Sequence, residues 1–137
     1  MSLASYIGCN KKIPISDEDS SDLIIIGDCF SNKYNQLNVK KYQLSTPYVY
    51  EVSSHWGIEI SEYVNKRTCA ESKKKLMRLC EIMDGHLEKG DFFELYSCWV
   101  GEEADKREGE LVLQFTSFDI DQIEIPEKTL VRFEKNN

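Results

Sequence analysis

One segment of this chain reads as a helix, and that single fact limits what the rest can build. Leu76, Cys80, Met83 and Leu87 recur at spacings of four, three and four. They fall on one stripe of a 3.6-residue helix. Lys73, Lys74, Lys75 and Arg78 lie mostly off that stripe. Thr68-Cys69-Ala70-Glu71 has the form of a capping box, in which a hydroxyl accepts from the third helical N–H and a Glu reaches back. Gly90 is a natural stop and Gly85 a weak point. The spacing predicts a helix from about Cys69 to Lys89.

The remaining apolar runs are short, and several are rich in β-branched or aromatic residues. Ala4 to Cys9 reads as extended, as do Ile13 and Ile15 around Pro14. Residues 16–22 are an acidic loop, and Leu23 to Ile26 is predicted as a central strand. Asn32 to Asn38 reads as a polar loop, and Val39 to Leu44 as a short strand. Tyr48 to Val52 has strand composition, and Ile58-Glu59-Ile60 alternates as a half-exposed strand does. Phe92 to Val100 and Leu111 to Phe118 read as a strand and its return, joined by a charged hairpin tip over 101–109. Thr129 to Phe133 is the last strand. Strands, one long helix, then strands predict an α+β fold: an antiparallel β-sheet with the helix packed on one face. No linker or repeat divides the 137 residues, so one globular domain over 1–137 is expected.

Charge is sorted along the chain. Residues 1–31 hold two Lys against five Asp/Glu, residues 32–80 nine Lys/Arg against four Glu, and residues 81–137 six Lys/Arg against fifteen Asp/Glu. The net charge is −7. Sorting of this kind predicts faces of opposite sign, which steer charged partners.

The same pattern excludes several function classes. A pI near 4.9 and the lack of a recognition motif argue against direct nucleic-acid binding, despite the basic run over residues 66–78. Five cysteines form no C-x-x-C pair, so a zinc ribbon is not expected and the thiols read as small apolar groups. Asp17 to Asp22 and Asp119-x-Asp121 lack EF-hand spacing. No glycine-rich phosphate loop occurs, and no cofactor or metal is implied. No apolar run is long enough to span a membrane, and the N-terminus does not read as a secretory signal, so a cytoplasmic location is expected. A His55–Cys98 nucleophile pair, or a ligand pocket near His55, Trp56, Tyr48 and Tyr50, is an alternative with no local support such as an oxyanion turn.

The expected function is therefore non-enzymatic: an acidic inhibitor that binds a basic protein. An immunity protein or antitoxin that neutralises a cationic toxin, such as a nuclease, is the form that size, charge and lack of motifs suggest. Glu102, Glu103, Asp105, Glu108 and Glu110 are the expected contact residues, with Tyr96 or Trp99 as an apolar anchor. A nucleic-acid mimic of phage or mobile-element origin is the alternative on the same acidic surface.

Overall fold

In a computed structural model, the structure describes residues 3–17, 19–28, 32–53, 57–115 and 117–136. Six strands and two helices follow one another as β1 (Leu3–Cys9), β2 (Ile25–Gly27), α1 (Lys33–Tyr42), β3 (Tyr48–Ser53), α2 (Lys66–Asp84), β4 (Phe92–Trp99), β5 (Gly109–Gln114) and β6 (Thr129–Glu134). The strands form one sheet in the order β2-β3-β1-β4-β6-β5. The fold is α+β, as expected, but the sheet is mixed: β5 runs parallel to β6, and all other neighbours are antiparallel.

Strand side chains alternate between faces, which separates the molecule into two apolar layers. On one face, Ile7, Cys9, Phe93, Leu95, Val131 and Phe133 join Leu76, Leu79, Cys80 and Met83 of α2 in the main core. Each such side chain contributes about 1.5–3 kcal/mol by leaving water. On the other face, Ala4, Tyr6, Tyr96 and Cys98 pack with Val39 of α1 and with Leu44. Gly8 belongs to this second face, where a Cβ would collide with Thr46 Oγ1. Only glycine allows the chain after α1 to approach β1 this closely.

The long helix keeps Leu76, Cys80 and Met83 of its predicted stripe, but its ends differ from those predicted and Leu87 lies past its close. Asn65, not Thr68, is the N-cap, and its side chain accepts from the Thr68 N–H at 2.8 Å. The helix closes at Asp84, with Gly85 as C-cap. The chain continues irregularly to Gly90, which adopts φ 96. Lys135, just past β6, donates to the carbonyls of Leu87 (2.6 Å) and Asp84 (3.0 Å). A cation beside the last carbonyls suits the negative end of a helix.

Other expectations are corrected. Residues 32–44 are not a loop and strand, because α1 occupies most of them. Asn32 caps that helix by accepting from the Asn35 N–H at 2.8 Å. Leu23 to Ile26 is not a central strand, since β2 lies at the sheet edge beside β3 alone. Ile58-Glu59-Ile60 is not half exposed: all three residues are buried, held by the Ile60–Ile125 bridge and by the N–H groups of Ile58 and Glu59 donating to the Ser5 and Ser72 hydroxyls. The expected β4–β5 hairpin does not form, because β6 lies between the two strands. A parallel pair needs a crossover of about a dozen residues or more. Residues 115–128 provide it and bring Phe115 and Ile125 into the core.

Candidate interaction surface

The connection after β4 is held from beneath by a carboxylate. Glu103 is 1% exposed. Its Oε1 accepts from the Gly101 N–H at 2.9 Å and its Oε2 from the Tyr6 hydroxyl at 2.9 Å. Gly101 takes φ 102, a left-handed conformation that glycine adopts freely. Gln43, the C-cap of α1, donates from Nε2 to the carbonyls of Glu103 (3.1 Å) and Asp105 (2.6 Å). Arg107 returns the contact, donating to the Gln43 carbonyl at 2.8 Å.

Basic residues compensate most of the remaining acid here. Lys128 Nζ lies 3.1 Å from both Glu102 Oε1 and Asp105 Oδ2. Lys128 itself sits at φ 59, an uncommon backbone for a residue with a Cβ. It is pinned by its N–H to the Ser97 carbonyl and by its own carbonyl to the Glu108 N–H, each at 2.7 Å. Arg107 Nη1 is 2.6 Å from Glu110 Oε1. Of the five carboxylates expected to face a partner, Glu103 is therefore internal, and Glu102, Asp105 and Glu110 have cations. Glu108 is exposed and joins no ion pair among the described residues. Tyr96 is fully buried, so it is a core residue and not an interface anchor. Trp99 is half-buried at the end of β4.

The uncompensated charge gathers elsewhere. Glu59, Glu108 and Glu127 line a cavity of about 420 Å³ with Tyr63, Pro126 and Thr129. Ile58 and Ile60 anchor Glu59 between them in the core, and Glu59 is only 8% exposed. Its Oε2 accepts from the Ser61 hydroxyl at 3.1 Å. No described cation pairs with Glu59, Glu108 or Glu127, and the adjacent Lys128 is engaged with Glu102 and Asp105. Burial pushes the Glu127 carboxyl above its ordinary range, and the nearby charges of Glu59, Glu102 and Glu108 push it the same way, with Lys128 opposing them in part. Tyr63 stands at the rim, 83% exposed. Glu59 and Tyr63 were not legible as site residues, because they come from the basic middle of the chain and only the fold brings them beside residues 108–129.

The charge blocks also meet internally. Arg78 grips Asp22 through two nitrogens, Nη2 at 2.7 Å and Nε at 3.0 Å, and holds that carboxyl down to about 2. Lys73 pairs with Asp121 at 3.2 Å, and Lys11 with Asp91 at 2.9 Å. The first two pairs engage the two segments considered for a cation, and among the described residues no cluster of three or more His, Cys, Asp or Glu is placed to hold a metal. Cys98 is fully buried, and burial raises its thiol far from the thiolate a nucleophile needs. His55 and Trp56 lie outside the described residues. No described helix is long and apolar enough to cross a membrane.

No protein-family model matches this chain, and neither the curated proteins nor the solved structures contain a significant match.

Proposed function

We propose that this protein is a non-catalytic inhibitor that uses the Glu59–Glu108–Glu127 cavity to receive a cationic side chain of a basic protein. The observation that carries this reading is the convergence on one concave site of three carboxylates that form no ion pair among the described residues, the neighbouring Lys128 being held by Glu102 and Asp105. Like charges held together cost stability unless something neutralises them. An Arg or Lys from a partner would do so and would fit a cavity of this size. Tyr63 at the rim supplies the kind of aromatic contact that interface centres favour.

The partner in this reading is a cationic toxin, with a nuclease the leading case. A nuclease requires a basic cleft to hold phosphate. An acidic protein lodged in that cleft blocks it sterically, and complementary fields speed the encounter. Convergence on one cavity favours this over nucleic-acid mimicry, which calls for carboxylates spaced along an extended track. The test is affinity capture from native host extract with wild-type protein and with a Glu108→Lys/Glu127→Lys variant. A basic protein retained by the wild type and lost by the variant is the expected result. Retention of the same partner by both, or of no basic partner by either, would refute the proposal.

A further inference from the structure

Helix α1 is turned the wrong way round for a helix that serves only packing. It buries Asn35, Gln36 and Val39 while Tyr34 is 72%, Leu37 55% and Tyr42 49% exposed. Val39 anchors the helix in the second apolar layer, and the buried Gln36 amide anchors it by hydrogen bonds. Gln36 Nε2 donates to the Asp28 carbonyl and, at 3.3 Å, to the Val49 carbonyl. Since polar groups share in fixing the helix, its larger apolar groups are left facing outward. Tyr48 of β3, 39% exposed, extends this patch.

Beside the patch runs a groove of about 280 Å³ whose lining includes Lys12, Lys33, Leu37, Lys40, Pro47 and Tyr48. Helix α1 contains Lys33, Lys40 and Lys41 and no acidic residue. The one carboxylate lining the groove among the described residues, Asp28, lies 3.8 Å from Lys33. No described carboxylate pairs with Lys12 or Lys40. The groove is thus a basic, aromatic-edged channel on a molecule of net charge −7.

We infer that this groove binds a short acidic segment of a partner protein, with an apolar side chain seated against Leu37 and Pro47 and carboxylates at Lys12 and Lys40. Charge complementarity selects the acidic occupant. The aliphatic floor and the short basic stretch favour a peptide over a long polyanion, which the rest of this acidic molecule repels. The inference does not depend on the Glu59–Glu108–Glu127 cavity.

The probe is a random peptide display library selected on the immobilised full chain, followed by a fluorescein-labelled copy of the enriched peptide in solution. The expected consensus is acidic residues flanking an apolar one. Its binding should weaken at least about tenfold, or by about 1.4 kcal/mol, in the Lys12→Glu/Lys40→Glu variant and in Leu37→Ser. It should persist in Glu108→Lys/Glu127→Lys, which separates this site from the acidic cavity. Thermal melts of each variant verify that these substitutions leave the fold intact. A library that enriches nothing or a consensus without acid would overturn the inference. So would a peptide held equally by the variants, or one displaced by single-stranded oligonucleotide that binds this face more tightly.

Discussion

The Tyr6 hydroxyl donates to Glu103 Oε2 at 2.9 Å, joining the first strand to a loop 97 residues later in a fully buried contact. Glu103 keeps a second donor, the Gly101 N–H. A buried carboxylate that loses a donor is costly, about 1–3 kcal/mol. Tyr6→Phe should therefore destabilise the protein by about that amount in urea denaturation. Tyr96 offers an internal contrast, because its buried hydroxyl has no partner among the described residues. Tyr96→Phe should leave stability unchanged or raise it. Equal losses from the two substitutions would contradict this account of the second apolar face.

Acid stability should depend on the Arg78–Asp22 contact. Chiefly through Arg78, the folded Asp22 carboxyl is held at about 2 against an ordinary 3.8. A depressed acidic group contributes stability that is present above its unfolded value and lost as pH falls through the folded one. Between pH 4 and about 2, Asp22→Asn should flatten the decline in stability measured by circular dichroism. At neutral pH the same variant should be the less stable protein. The effect is modest, because both side chains remain partly in solvent.

The buried thiols should be inert in the folded state. Burial pushes Cys80 up to about 12, and it raises Cys98 and Cys9 as well. Alkylation depends on thiolate and access. Iodoacetamide at pH 8 followed by peptide mass mapping should modify half-buried Cys69 well before Cys9, Cys80 or Cys98. Rapid labelling of Cys98 would reopen the case for a nucleophile on β4.

How far the sequence reveals this fold depends on where each signal resides. The stripe of Leu76, Cys80, Met83 and Leu87 is local, and the helix it announces forms. Its start is displaced because Asn65 caps three residues before the better-looking Thr68. Helix α1 is hidden because Tyr34, Leu37 and Tyr42 face out while Asn35 and Gln36 join Val39 on the buried face, which removes the periodicity that marks a helix. Leu111 and Leu113 alternate identically whether β5 pairs with β4 or with β6, so the parallel register was not legible. The acidic loop misleads for a related reason. Tyr6, Lys128 and Arg107 decide whether Glu102, Glu103, Asp105 and Glu110 face a partner, and only folding brings Tyr6 and Lys128 there. In the proposed function the partner-facing role therefore falls to Glu108, joined by Glu59 and Glu127 from other segments.

Glu127 tests whether the acidic cavity is strained. Its carboxyl is raised above 4.5 in the folded protein. A raised acidic group contributes stability that is complete below its unfolded value and lost as pH rises through the folded one. Glu127→Gln should thus be more stable than wild type at pH 7, and the advantage should vanish near pH 4. A stabilising substitution in the proposed binding cavity is the usual mark of a site kept for function. A destabilised Glu127→Gln at pH 7 would mean that the carboxylate has a structural role.

The most direct test is the association rate with the captured basic partner as a function of ionic strength. For the wild type, the rate constant should fall at least about tenfold between roughly 0.05 and 0.5 M salt. For Glu108→Lys/Glu127→Lys it should be slower at low salt and nearly flat across the range. A wild-type rate indifferent to salt, or an identical slope in the variant, would contradict recognition through this cavity.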